Sequence, residues 1–168
     1  MMAEETRGDR TCRPIIIPLS LLAAMLLTLL PLPDWAAVLW PLWVPMVLLY
    51  WVMALPQRVG LGWAWVFGLL LDVARGAVLG QHALAMVLAA WITIRLHQRI
   101  RVAPLSQQAV SIGLILLVYR LTTFLVAGFT GHAPGSSLYW LPLITSALLW
   151  PWLFILLRDL RRRCRLTS

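Results

Sequence analysis

Three ionisable side chains stand inside apolar stretches of this chain, and any chemistry done within those stretches must use them. Asp72 closes the uncharged run Leu61–Leu71, Arg75 follows three positions later, and Arg120 lies near the middle of the run Ala109–Phe129. Placing an ionisable group at membrane depth costs at least about 2.5–3.5 kcal/mol on insertion scales, so each is a functional candidate by default. Asp72 and Arg75, at i and i+3, can neutralise one another on one helix. Arg120 has no acid in its own run, and Asp72 is the one carboxylate in the embedded part of the chain. The expectation is therefore that Arg120 either pairs with Asp72 or faces a polar cavity. A structural ion pair fixing helix register, a ligand or partner contact, and proton or ion coupling stay open as roles, in that order.

Asp72 also belongs to a row of small residues at every fourth position: Gly60, Ala64, Gly68, Asp72, Gly76 and Gly80. On a helix a four-residue step advances about 400°, so such a row drifts slowly around the surface as a shallow groove. In a membrane a groove of this kind lets another helix come close. Asp72, Arg75, Arg120, Gly68, Gly76 and Gly80 are accordingly the candidate partner or ligand contacts. The plainer alternative is a Gly/Ala-rich helix that merely packs well.

Catalysis has little support. One buried carboxylate gives no acid/base pair, and no histidine neighbours a serine or cysteine. His82, His97 and His132 include no pair at i, i+4, and Cys12 and Cys164 have no ligand-type neighbours, so no metal or cofactor site is expected. His82 reads as an interfacial polar residue rather than a ligand. No phosphate-cradling GxxxxGK[ST] loop is present.

The elements that must position these residues follow from hydropathy. With 61% hydrophobic and 12% charged residues, against roughly 45–50% and 25% in soluble domains, the 168 residues read as an integral membrane protein. Six apolar runs can be delimited: 14–30, 35–55, a short run from Val59 past Asp72, 77–94, 109–129 and 138–157. The first resembles a signal peptide in its basic flank, but no small-residue cleavage site follows, so it is read as an uncleaved span. A tight turn near Arg75–Gly76 joins the third and fourth runs. Pro41 and Pro45 are expected to kink the second.

All 14 basic residues are arginine, giving a net charge of +8. They sit at the ends of apolar runs, which points to topology signals and lipid headgroups rather than nucleic acid. Twelve of them fall on one side of a six-span arrangement with both termini cytoplasmic, as the positive-inside rule requires. Five spans would leave an arginine-rich tail outside. The fold expected is an all-α membrane domain over 14–157, with a cytoplasmic tail at 1–13 and a basic one at 158–168. The two cysteines, one in each tail, are then reduced. The halves show no sequence echo of an inverted repeat.

The runs Ala54-Leu55-Pro56-Gln57-Arg58-Val59-Gly60, Gly68-Leu69-Leu70-Leu71-Asp72, Gly76-x-x-Leu79-Gly80 and Leu148-Leu149-Trp150-Pro151-Trp152 resemble the bacterial rod shape-determining MreD family. The resemblance covers essentially the whole chain and is most specific from Leu49 to Ala85. Pro56, Arg58, Gly68, Asp72, Gly76, Leu79, Gly80, Trp150 and Pro151 match its pattern; Arg75 and Arg120 are not part of it. It implies an inner-membrane component of the cell-elongation machinery. The expected partners are MreC, most directly, then MreB and the RodA glycosyltransferase with its penicillin-binding transpeptidase. It also implies a fold similar to the six-helix substrate-binding components of ECF vitamin transporters. Two functions are thus expected: a non-catalytic scaffold for lateral wall synthesis, or a binder of a small molecule or lipid intermediate. Co-purified ligand would favour the second.

Overall fold

A computed structural model describes residues 5–131 and 137–163 of the chain. The expected loop residues His132, Pro134 and Gly135, and Cys164 and Arg165 of the tail, lie outside the described residues. So do the side chains of Arg7, Arg10, Cys12 and Arg13. All regular structure among the described residues is helical: α1 Glu5–Thr28, α2 Asp34–Ala37, α3 Trp43–Ala54, α4 Leu61–Arg75, α5 Gln81–Val102, α6 Leu105–Phe129 and α7 Leu141–Arg163. A 3-10 turn, Ser137–Trp140, leads into α7.

The segments Leu105–Phe129 and Leu138–Arg162 are long and apolar enough to cross a bilayer, and Ile15–Thr28 and Trp43–Ala54 are shorter apolar helices. The shortness of α3 has a local cause. The second apolar run does not kink at its prolines but breaks: α2 ends at Ala37 and the chain turns through Leu42 before α3 begins. Pro41 lies just before that start, and Pro45 sits in its first turn, where a missing backbone donor costs nothing. What remains of the run is apolar on every side, and such a helix belongs in the middle of a bundle. Every residue from Val44 to Ala54 is buried.

The other helices are arranged around α3, which packs against α1, α5, α6 and α7, while α4, α5, α6 and α7 pack each on the next. Two polar links pin α3 in place. Trp51 donates its indole N–H to Ser20 Oγ on α1 at 2.8 Å. At its start, the backbone N–H of Leu42 donates to Ser146 Oγ of α7 at 2.8 Å, and Ser146 in turn donates to the Pro142 carbonyl at 2.6 Å. Farther along, Gly113 of α6 lies against the Ala147 methyl of α7, which keeps these two helices close.

Four sequence boundaries shift. The Arg95–Arg101 stretch, expected as a connector, is the last part of α5; the chain breaks only at Ala103–Pro104. α5 begins at Gln81, four residues later than the apolar run suggests. Residues 5–13 and 158–163, expected as tails, continue α1 and α7 as helix. Polar residues at a span end need not leave the helix, because its hydrogen bonds are internal and the charges only mark where lipid stops.

Ser146→Ala leaves the buried Leu42 N–H without an acceptor and should lower stability by about 1–3 kcal/mol. Denaturant or thermal unfolding of the detergent-solubilised protein reads this directly. An unchanged midpoint would show that α3 is not anchored through this bond.

Candidate functional site

The α4–α5 turn is built from one side chain and two glycines. α4 ends in a residue pair of Schellman type: Ala77 N–H donates to the Asp72 carbonyl at 2.9 Å and Gly76 N–H to the Val73 carbonyl at 3.2 Å. That ending needs a left-handed residue, and Gly76 supplies it at φ 60°. Gly80, at φ 98°, opens α5 in the same region of backbone space.

The start of α5, Gly80-Gln81-His82, offers no Ser, Thr, Asp or Asn of its own to take up the first free N–H groups. Asp72 does so from the preceding helix. Its Oδ2 accepts from Gly80 N–H at 2.9 Å and from Ala83 N–H at 3.3 Å. Its Oδ1 accepts from His82 N–H at 2.8 Å and faces His82 Nδ1 at 2.8 Å. With Gln81 N–H on the Val78 carbonyl and Leu84 N–H on the Gly80 carbonyl, the first turn of α5 is fully accounted for. The carboxylate also stands at the positive end of the α5 dipole. Asp72 is completely buried and His82 nearly so.

Gly68, one helical turn before Asp72, makes this approach possible. A Cβ at that position would overlap the backbone of Ala83, so α4 and α5 meet there with nothing between them. The every-fourth-residue row therefore has two different causes. Ala64, Gly68 and Asp72 line the α4 face that receives α5, whereas Gly76 and Gly80 lie beyond the helix and serve the turn. The close neighbour at Gly68 is the chain's own α5.

Among the described residues the one ion pair is Asp72–His82. Arg75 and Arg120 do not come within pairing distance of Asp72, so neither expected salt bridge forms. His82, set aside as an interfacial residue, is the partner that sequence reasoning missed. Asp72-x3-Gly76-x3-Gly80-x-His82, leading into a helix without its own cap, was the available signal.

Arg120 takes the other course open to it and faces a cavity. It is 9% exposed, and its guanidinium lies 4.0 Å from the ring centroid of Tyr139. A desolvated contact of this kind is worth about 2 kcal/mol, short of the ~2.5–3.5 kcal/mol cost of embedding the charge. Arg120 Nε has no hydrogen-bond acceptor. The tyrosine is itself held, its hydroxyl 2.8 Å from Thr123 Oγ1, while Gln81 donates to the Thr123 carbonyl at 3.2 Å. The α5 start and the Arg120 neighbourhood are thus tied through α6. A cavity of about 170 Å³ collects Arg120 and Arg75 with Thr28, Trp40, Leu42 and Pro142.

The remaining pattern residues are structural in placement. Pro56 and Arg58 form the α3–α4 turn, with Arg58 exposed. Leu79 is exposed on the α4–α5 turn. Trp150 is fully buried beside Phe154 with its indole N–H unpartnered, and Pro151 stands inside α7. Among the described residues no three His, Cys, Asp or Glu side chains cluster as metal ligands would.

A family model described as rod shape-determining protein MreD matches residues 9–160. The rod shape-determining protein MreD of Haemophilus influenzae is 36% identical over 146 residues, covering 85% of this chain and 88% of that protein. No solved structure matches.

Replacing Asp72 should weaken the fold in a graded way. Asp72→Ala strands several buried N–H donors and is expected to cost about 2 kcal/mol or more, while Asp72→Asn, which retains one acceptor oxygen, costs less. Gly68→Leu forces α4 from α5 and should cost at least about 1–3 kcal/mol. Unfolding of the purified variants in detergent checks both; equal stability of Asp72→Ala and the native chain would refute the capping role.

Proposed function

Since the chain belongs to the rod shape-determining protein MreD family, we propose that it acts in cell shape as a non-catalytic scaffold of the cell-elongation complex. It would sit in the bacterial inner membrane with six spans and both ends cytoplasmic. The observation that supports a scaffold best is the engagement of Asp72. Its two oxygens accept from three backbone N–H groups and face the His82 ring, so the buried acid and imidazole serve the helix junction.

A scaffold works through its outer faces. Between α1 and α7, above Trp43 and Val47 of α3, lies an apolar groove of about 330 Å³. Ser20, Ala23 and Ala24 form part of its wall, and small residues of this kind let a second helix approach closely in lipid. On this reading the groove receives MreC, the most direct of the expected partners, with MreB and the RodA–transpeptidase pair in the same complex. The arginine-bearing ends of α5 and α7 then face the cytoplasm, consistent with the positive-inside rule.

The test is complementation of a rod-shaped bacterium lacking its own copy. The native chain should restore rods and retain MreC on co-purification. Ala23→Trp, which fills the groove without touching the α4–α5 junction, should lose both while the purified protein keeps its unfolding midpoint. Rods with undiminished MreC recovery in that variant would remove the groove from the proposal, and rods in cells lacking the protein altogether would remove the scaffold.

A further inference from the structure

We infer that the cavity between Arg75 and Arg120 is a binding site for a phosphate-bearing anion, supplied as a lipid headgroup or as free phosphate. The inference is independent of the scaffold reading. Two guanidinium side chains, one from α4 and one from α6, line one small cavity at the end of the bundle remote from Arg95–Arg101. Arg120 is nine-tenths buried, and among the described residues neither it nor Arg75 finds a carboxylate partner.

Among the described residues no acid provides the missing negative charge. Its acids are Glu4, Glu5, Asp9, Asp34, Asp72 and Asp159. Glu5 and Asp9 begin α1, at the opposite end from Thr28, and Glu4 precedes them in sequence. Asp159 lies near the far end of α7 from Pro142. Asp72 is engaged by the α5 start, and the exposed Asp34 makes no ion pair with either arginine. Residues 132–136, next in sequence to this end of the bundle, contain no acid.

Planar guanidinium forks match the oxygens of a phosphate and can bind it through paired N–H donors. Two of them favour a group with more charge and more acceptors than a single carboxylate. At about 170 Å³ the cavity is below the ≈ 300–1,000 Å³ usual for drug-sized ligands, so it suits a headgroup rather than a whole nucleotide. Leu42, Trp40 and Pro142 form its apolar wall, as a site bordering lipid requires.

The experiment uses the full chain in an uncharged maltoside detergent, free of phosphate, at constant ionic strength set with chloride. Inorganic phosphate and phosphatidylglycerol are titrated separately, and the unfolding midpoint is followed. The native chain and the control Arg99→Gln, altered at the opposite end of α5, should be stabilised by at least one probe. Arg75→Gln and Arg120→Gln should bind it at least roughly tenfold more weakly. Stabilisation by the lipid alone identifies a headgroup site, by phosphate alone a free-anion site, and by both the shared chemistry. Because Arg75 is exposed, its variant keeps the test decisive should Arg120→Gln fail to fold. No stabilisation of the native chain, or the same response in Arg75→Gln as in native, overturns the proposal.

Discussion

A helix that starts inside a membrane protein presents backbone N–H groups that no water is there to satisfy. The fold of this chain depends on how that demand is met at the head of α5. Gly80-Gln81-His82 brings no cap of its own, so the acceptor comes from Asp72, on the helix before. One residue thereby closes both sides of a five-residue turn, its carbonyl ending α4 and its carboxylate beginning α5. The charge that looks costly in a hydropathy profile is compensated by fixed N–H donors, an imidazole and a helix dipole.

Consequences spread outward from this junction. The carboxylate can reach α5 only because Gly68 lets the two backbones touch. α5 in turn carries Gln81 to the Thr123 carbonyl and His82 to within 6.2 Å of the Tyr119 ring, ring centre to ring centre, which sets α6 beside it. Arg120 is the next residue along α6, and its direction toward Tyr139 and the cavity follows from that register. The cationic cavity and the capped turn are two parts of one construction: the acid is engaged at the turn, and the arginines are left facing a space the fold does not neutralise.

Much of this was legible in the sequence. Composition points to a membrane chain, and the burial of Asp72 and Arg120 follows from their apolar neighbours. The α4–α5 turn could be placed because Gly76 and Gly80 interrupt an apolar stretch. What hydropathy could not resolve was partnership. Coulomb's law ranks the arginines first as partners for Asp72, whereas its donors are mostly uncharged backbone N–H groups that every residue carries. The break before α3 was also out of reach. Pro41 and Pro45 announce a disturbance, but whether a helix bends or restarts depends on tertiary groups such as Ser146, which arrives from 104 positions away to satisfy Leu42. The extension of α5 through Arg95–Arg101 was missed for a simpler reason: charge marks the edge of the lipid and says nothing of where a helix stops.

The central claim, that Asp72 is the cap of α5, is tested most directly by amide hydrogen exchange in the native chain and in Asp72→Asn. Peptides covering 76–84 should exchange roughly tenfold faster or more in the variant, while peptides covering 43–54 in buried α3 keep their protection. Unchanged protection over 76–84 would mean that α5 begins without the carboxylate, and the account built on it would fail.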